Sequence, residues 1–262
     1  AAFATKVPGA LTEIRKATGT IEPFLDRGDT GLGQHDWVAE LAHRLTPPAG
    51  DAPAVCTLDT GVTAAHPLIA PGLAGAWAYD TAWGTDDHHP DGGHGTPLAG
   101  LVLYGDLEPL MNGSQPVTLA HAAESMKLLP PHGFPPTKPP SYGVVTQGAI
   151  ALVEAERPGI SRSFCLAATA TDFPPGRPST WSGALDQAAA GAMPGDTGDE
   201  VPASERPKRL ILAATGNVSG GMMVNVIPSQ PLEDPAQSWN ALTIGGFTRK
   251  DQAPAPPPVL EP

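Results

Sequence analysis

Short apolar runs alternate with stretches of helical periodicity along most of the chain, and turn-forming residues separate them. Apolar runs with the length of a strand occupy Ala54–Leu58, Met126–Leu129, Ile160–Thr169, Arg209–Ala214 and Ala241–Phe247. Helical spacing predicts helices over His35–Leu45, Thr96–Tyr104, Tyr142–Glu156 and Ser182–Ala192, and small and apolar residues are dense enough in Thr96–Tyr104 to predict a buried helix. Strands separated by helices favour parallel pairing with right-handed crossovers. The pattern predicts an α/β fold in three layers, with a mostly parallel sheet and helices on both faces.

Proline and glycine divide the chain into three predicted regions. Residues 1–50 form a peripheral N-terminal segment that ends in a Pro/Gly linker, and residues 51–250 form the main domain. Residues 251–262 are a Pro-rich tail that we expect to be disordered. The segment Pro130–Pro140 contains six prolines, which cannot pair in a sheet, so it is predicted to be a surface excursion.

Charge and composition exclude several classes of function. The chain has 15 basic and 27 acidic residues, and its net charge of −12 would repel the phosphate backbone of a nucleic acid. No apolar run approaches the roughly 20 residues of a membrane helix, and the first residues lack the pattern of a signal peptide. We therefore expect a soluble protein, with the cytoplasm favoured over secretion. Cys56 and Cys165 lie in apolar runs, as buried free thiols do.

Three polar residues lie directly after or beside predicted buried elements. In an open parallel sheet, functional residues lie at the carboxyl ends of the strands. Asp59 and Asn217 come after strands, and His94 lies between two glycines at the start of a helix. A buried carboxylate needs a partner, and an imidazole with small neighbours can reach it. Each residue alone also has a plain structural explanation, as a turn residue, a helix cap or a loop residue. Together, Asp59 and His94 are the residue types that serve as an orienting acid and a general base.

Four segments in one order resemble the motifs of a known family. They are Val55–Val62 with His66 and Pro67, Gly93–Gly100, Ser163–Ala167 and Leu212–Asn217. The first two are similar to the aspartate and histidine motifs of the subtilisin-like serine peptidases. The third is similar to their substrate-binding strand, and the last to the segment that carries an oxyanion-binding asparagine. The resemblance covers about residues 52–248.

The resemblance implies a subtilisin-like fold and a serine endopeptidase that cuts polypeptides through an Asp-His-Ser triad. Asp59 would orient His94, His94 would be the general base, and Asn217 would donate to the oxyanion. Extended substrate would pair with the strand formed by Ser163, Phe164, Cys165, Leu166 and Ala167. No cofactor is required. Calcium is common among such relatives, but the acidic loop Asp80–Asp91 lacks a diagnostic ligand spacing.

The serine of that triad has no counterpart in these residues. No Gly-Thr-Ser-x-Ala motif follows Phe247, and none of Ser163, Ser182 and Ser219 begins a helix after a Gly-Thr turn. We expect a C-terminally incomplete peptidase, either truncated or processed, whose missing segment carries the serine; the chain alone should be inactive. The alternative is an inactive module that binds extended peptides or a partner protein. The acidic surface and long proline loops also leave room for a regulatory partner.

A metal site is the competing interpretation of the same region. Asp86, Asp87, His88 and His89 are followed by Asp91 and His94, and carboxylates with imidazoles at this density suit divalent ions. A metal on His94 would prevent it from acting as a free base. An exposed acidic loop is the simpler hypothesis, so we predict no metal ligand.

Overall fold

The structure is a computed structural model that describes residues 33–90, 92–193, 201–202, 204–217 and 231–246. The predicted tail at 251–262, Ser219 and residues 1–32 of the predicted peripheral segment lie outside the described residues. In chain order, the elements are α1 (Gln34–His43), β1 (Leu45–Thr46), β2 (Ala54–Asp59), β3 (Leu73–Ala78), α2 (Gly95–Tyr104), α3 (Glu108–Met111), β4 (Val117–Thr118), β5 (Ala122–Lys127), α4 (Tyr142–Glu156), β6 (Arg162–Leu166), α5 (Thr180–Ala189), β7 (Leu210–Ala214) and β8 (Leu242–Ile244).

The central sheet has its strands in the order β3-β5-β2-β6-β7-β8, and every neighbouring pair is parallel. All carboxyl ends therefore lie along one edge of the sheet, which we call the carboxyl edge. The chain places β3 and β5 on one side of β2 and then crosses to β6 on its other side. Ligands of open α/β sheets bind at such a change of direction, so the end of β2 is the expected place for a site.

Helices cover both faces of the sheet, which confirms the three-layer α/β prediction. On one face, α4 and α5 bury a large apolar cluster that includes Phe164, Ile150 and Leu185. On the opposite face, α2 packs over β2 and β5 through a smaller cluster that includes Ala99 and Leu103. The fold thus has one apolar layer on each side of the sheet, and the central strands β2 and β5 are the most deeply buried.

Part of the face that carries α2 has no cover among the described residues. Ile211 and Ala213 point into the cluster under α4 and α5, so Leu210 and Leu212 point to the opposite side. The register joins Leu212 to Leu242 and Ala214 to Ile244, which extends this apolar surface onto β8. Leu210, Leu242 and Ile244 are 52%, 52% and 45% exposed. We call the surface formed by Leu210, Leu212, Leu242 and Ile244 the open face.

The described part of the N-terminal segment is packed against the domain. Leu41 of α1 is fully buried and contacts Leu68 and Met111 in a third apolar cluster. The strand β1 pairs in parallel with β4, away from the main sheet. The predicted domain boundary at residue 50 stays a prediction. Among the described helices, none combines the length and hydropathy that a transmembrane segment needs.

The strand β5 lies earlier than predicted, because two charged residues belong to its interior. The pattern placed the strand at Met126–Leu129, whereas the structure has it at Ala122–Lys127 with all six residues buried. Glu124 in this strand is wholly buried and bonds to Arg157 and Arg162. Pairing compensates the cost of removing the carboxylate from water, so a charge can occupy a buried strand.

The helix α2 is buried on one side only, which corrects the prediction that it is a buried helix. Gly95, Ala99 and Leu103 face the sheet, as expected for a stripe with a spacing of four residues. Pro97 is exposed, and Leu101 is 62% exposed. The other predicted helices and strands are present within a few residues of their expected bounds, whereas β1, β3, β4 and α3 were not predicted.

Candidate active site

Asp59 ends β2 and is only 2% exposed. Its Oδ1 accepts a hydrogen bond of 2.7 Å from the backbone N–H of Thr60. Gly61 follows with a φ of +106°, and the carbonyl oxygens of Thr85 and Asp86 lie 2.5 Å from the place that a Cβ would occupy. Only glycine permits this conformation and this approach. The Asp-Thr-Gly sequence therefore forms a tight turn that packs against the loop of residues 79–90, which we call the excursion after β3.

His94 immediately precedes α2 and is held against the same turn. The following residue, Gly95, has no room for a side chain, because its Cβ would lie 2.0 Å from the carbonyl oxygen of Gly61. The start of α2 thus packs backbone to backbone on the turn after β2. This close approach explains why a glycine follows the histidine. It also fixes the position of the His94 backbone, from which the imidazole extends.

The structure brings Asp59 and His94 together. Oδ2 of Asp59 lies 2.7 Å from Nδ1 of His94. An ionised carboxylate can only accept a hydrogen bond, so this contact fits the tautomer in which Nδ1 carries the hydrogen and Nε2 has a lone pair. The side chain of Asp59 is 3% exposed and that of His94 is 60% exposed. A buried acid therefore orients an exposed base, which can take a proton from a group that approaches Nε2.

A buried lysine beside this pair was missed by sequence reasoning. Lys127 is the register partner of Asp59, is wholly buried, and donates from Nζ to the carbonyl oxygen of Asp86 over 2.6 Å. Burial lowers the pKa of Lys127, while the charges of Asp87 and Asp86 oppose that shift. The signal that could have found it is a lysine within the apolar run Met126–Leu129. Its bond anchors the excursion after β3 to the carboxyl edge.

Asn217 lies on the same carboxyl edge as Asp59, two strands further along the sheet. It comes three residues after the end of β7, and β6 separates β7 from β2. Its side chain is exposed, and no hydrogen bond joins it to another described residue. Gly216 before it has a φ of +104°, which defines the turn that follows the strand. The role of Asn217 as an oxyanion donor stays a prediction.

The predicted substrate strand lies mostly within the central sheet. Ser163, Phe164, Cys165 and Leu166 lie inside the sheet, where β2 pairs with them on one edge and β7 on the other. Phe164 and Leu166 are also buried in the core. These four residues therefore offer no backbone edge to a substrate. Ala167, the fifth residue of the prediction, lies just beyond the ladder.

A free stretch of backbone follows β6 instead. Among the described residues, no backbone hydrogen bond involves Ala167, Ala168 or Thr169; the next is from the N–H of Ala170 to the carbonyl of Asp234, over 2.8 Å. Residues 167–169 are half-buried, and Ala168 and Thr169 border an apolar pocket of about 140 Å³. Its lining includes Leu129, Tyr142, Val145, Ala168 and Trp181. Residues 167–169 follow β6 directly, and their backbone groups can form hydrogen bonds with an added strand.

The described candidates for a substitute nucleophile are occupied elsewhere. The hydroxyl of Ser182 accepts from the N–H of Ser179 in the cap of α5, and Ser163 lies within the sheet. Burial raises the pKa of Cys165, and the charge of Asp59 adds to the shift, so its thiolate form is disfavoured. Ser219 lies outside the described residues.

The competing metal interpretation rested on the acidic loop between β3 and α2. Within the described ranges, no group of three His, Cys, Asp or Glu side chains comes close enough together to hold an ion. The carboxylate of Asp87 instead accepts hydrogen bonds from Thr60 and from the start of α2. Asp91, which the metal interpretation also used, lies outside the described residues.

Comparison with protein-family models identifies one family. The model of the subtilase family, Peptidase S8, matches residues 50–256. Among solved structures, the chain is similar to the nisin leader peptidase NisP from Lactococcus lactis, with 14% identity and a TM-score of 0.41 over 81% of this chain and 62% of that one. It is also similar to the A-subunit of the AB5 toxin from E. coli, with 17% identity and a TM-score of 0.34 over 77% and 56% of the two chains. The chain thus spans about three fifths of the length of these structures. No curated protein matches it.

Proposed function

The chain belongs to the subtilase family of serine peptidases, and we propose that it supplies the acid, the base and an oxyanion donor for peptide-bond hydrolysis. The 2.7 Å contact between Oδ2 of Asp59 and Nδ1 of His94 carries this proposal. It joins a buried acid to an exposed imidazole at the edge where parallel sheets bind ligands. Polypeptides are the substrates of such a domain.

In the reaction we propose, Nε2 of His94 takes the proton of a serine hydroxyl as its oxygen attacks the scissile carbonyl carbon. Asp59 keeps the imidazole in the correct tautomer and stabilises the imidazolium that forms. His94 then gives the proton to the leaving amine, and water repeats the sequence on the acyl-enzyme. Asn217, on the same edge, would donate to the oxyanion, where such a donor contributes on the order of 3 kcal/mol, a magnitude known for subtilisin.

The serine, in this proposal, comes from a part of the protein outside these 262 residues. The open face supports such a segment, since parallel sheets are normally covered on both faces. A helix that packs there and runs antiparallel to the strands would begin at the carboxyl edge, the edge that also carries His94. A serine at its start would then meet the lone pair of Nε2. We accordingly expect the 262-residue chain alone to have no peptidase activity.

Extended substrate would bind along residues 167–169 rather than along the whole of Ser163–Ala167. Backbone groups in this stretch have no partner among the described residues, so they can pair with a substrate strand. The pocket beside them has an apolar lining that includes Val145 and Trp181. An apolar substrate side chain would fill this pocket, so we propose a preference for such residues a few positions from the scissile bond.

The test is fluorophosphonate labelling of the full-length protein, read by mass spectrometry. We expect one labelled serine in the wild type and loss of labelling in His94→Ala and Asp59→Asn. His88→Ala is the matched control, because His88 is an exposed histidine of the neighbouring excursion; its labelling should equal that of the wild type.

Two results would count against the proposal. Labelling that persists in His94→Ala would exclude this histidine as the base. A full-length protein that neither labels nor cleaves peptides, but binds an extended apolar peptide along residues 167–169, would instead be a non-enzymatic peptide-binding module. That outcome would be recognised by peptide affinity that falls on Trp181→Ala and does not change in His94→Ala.

A further inference from the structure

The carboxylate of Asp87 joins three separate segments of the site. Its Oδ1 accepts from the hydroxyl of Thr60 over 2.6 Å and from the backbone N–H groups of His94 and Gly95 over 3.1 and 3.2 Å. Its Oδ2 accepts from the N–H of Thr96 over 2.7 Å. The three segments are the turn after β2, the excursion after β3 and the start of α2.

These bonds cap a helix whose first residues have no local cap. The side chain of His94 occupies the N-cap position of α2 without capping it, and the first N–H groups of a helix have no partner within the helix. Asp87 supplies acceptors for three of them, with a negative charge at the positive end of the helix dipole. Burial alone would raise the pKa of Asp87, but the bonds from Thr60, Thr96 and Gly95 outweigh it and lower the pKa. The carboxylate is therefore ionised in this position near neutral pH.

The same bonds fix the backbone of His94 relative to Asp59. Thr60 follows Asp59 directly and donates its N–H to the Asp59 carboxylate. Its hydroxyl oxygen accepts from the N–H of His94 over 3.0 Å and from that of Gly95 over 2.9 Å. One residue thus connects the acid to the backbone that carries the base, and Asp87 holds the hydroxyl of that residue in place.

The excursion that carries Asp87 is itself anchored. The carbonyl oxygen of Asp86 accepts from the buried Nζ of Lys127, and that of Thr85 accepts from the N–H of Val62 over 2.9 Å. Two anchors directly before Asp87 leave its carboxylate little freedom to move away from α2. These two bonds therefore hold Asp87 in a fixed position relative to the start of α2.

We propose that Asp87 is a positioning residue, which holds His94 at hydrogen-bonding distance from Asp59 by capping α2 and orienting Thr60. The inference rests on the proposed function in naming His94 the base, but the geometry it predicts can be measured without any activity. Within the described part of the chain, no hydrogen bond joins Asp87 to Oδ2 of Asp59 or to the imidazole, so Asp87 acts through the backbone of His94.

The experiment compares Asp87→Asn with Asp80→Asn in the full-length protein. Asn keeps the shape of the side chain but loses the charge and one acceptor oxygen. Asp80 is the matched control, because it caps the short turn Thr81–Trp83 in the same excursion by accepting from the N–H of Ala82, away from His94. We expect kcat per labelled serine to fall at least about tenfold in Asp87→Asn, with KM within about twofold of the wild type. Both constants should be unchanged in Asp80→Asn.

A second readout follows the imidazole itself. In protein labelled with ¹⁵N-histidine, the Nδ1 proton of His94 should give a low-field NMR signal that disappears in His94→Ala. We expect Asp87→Asn to lose or broaden that signal and Asp80→Asn to keep it. Thr60→Val, which removes the hydroxyl and keeps the shape, should resemble Asp87→Asn and serves if that variant does not fold.

The outcomes separate this inference from the proposed function. An unchanged Nδ1 signal and an unchanged kcat in Asp87→Asn, with only a lower melting temperature, would show that Asp87 merely stabilises the fold and would overturn the inference. A wild type without peptidase activity would end the proposed function, and the NMR comparison alone would then decide whether Asp87 positions His94.

Discussion

Replacing Gly95 by alanine should separate the two residues of the candidate pair while leaving most of the fold intact. The added Cβ would lie 2.0 Å from the carbonyl oxygen of Gly61, whereas real Cβ atoms essentially never approach closer than 3.0 Å. The start of α2 and the turn after β2 must therefore move apart by at least 1.0 Å. The atoms that the Cβ would meet are backbone atoms of Gly61, so no flexible side chain can move aside to relieve the clash.

The displacement is large compared with the contact that it disturbs. Moving His94 by that distance would stretch the 2.7 Å bond to Asp59 to as much as about 3.7 Å, beyond the range of a hydrogen bond. A misplacement of about 1 Å in a catalytic group costs on the order of a hundredfold in rate. Overpacking of this kind also lowers the free energy of unfolding by about 1 to 3 kcal/mol.

The assay is hydrolysis of a quenched fluorescent peptide by the full-length protein, with fluorophosphonate labelling rates in parallel. Gly100→Ala is the control, because Gly100 lies in the same helix and nothing lies within 4 Å of its would-be Cβ. Alanine is favoured over glycine in a helix interior by about 1 kcal/mol, so this variant should be at least as stable and equally active. A folded Gly95→Ala protein with wild-type labelling and hydrolysis would refute the reasoning.

Three further predictions concern stability. Glu124→Ala leaves Arg162, whose side chain is 5% exposed, with an uncompensated charge; urea denaturation should show a loss of about 3 to 5 kcal/mol, and a loss below about 1 kcal/mol would contradict a buried ionic cluster. Ser179→Ala removes the hydroxyl that accepts from Trp181 and Ser182 at the start of α5, and calorimetry should show a loss of about 1 kcal/mol. Because the pKa of Asp87 is lowered on folding, its contribution to stability is present above its unfolded pKa of about 4 and is lost as the pH falls through the folded pKa. Urea midpoints at acid pH should therefore fall less steeply in Asp87→Asn, and an equal slope would argue against the shift.

Periodicity was sufficient to predict the layers, because most elements bury one continuous apolar face. The helix α4 lies where its pattern indicated, and β2 extends its predicted run by one residue, to Asp59. The strand β5 was misplaced because Glu124 and Lys127 look like surface residues until their partners are known. Those partners lie far away in the chain, so no local pattern contains the information.

The candidate site was predictable only in part, for a similar reason. The pair Asp59 and His94 could be expected from the family motifs and from the ends of buried elements. The hydrogen bond from Thr60 to Asp87 depends on the path of an irregular loop, which sequence periodicity does not describe. The residue at which β6 stops pairing with its neighbours was not predictable either, because the apolar run continues past that point.

The common direction of all six strands leaves the opposite end of the sheet away from the chemistry. Gly50 lies in the turn before β2 at that end, and a side chain added there would meet nothing within 4 Å. The six residues of β2 put about 20 Å between this turn and Asp59. A cysteine at position 50 would therefore give a handle for a fluorophore or for immobilisation on a sensor surface, and substrate access to the imidazole would be undisturbed.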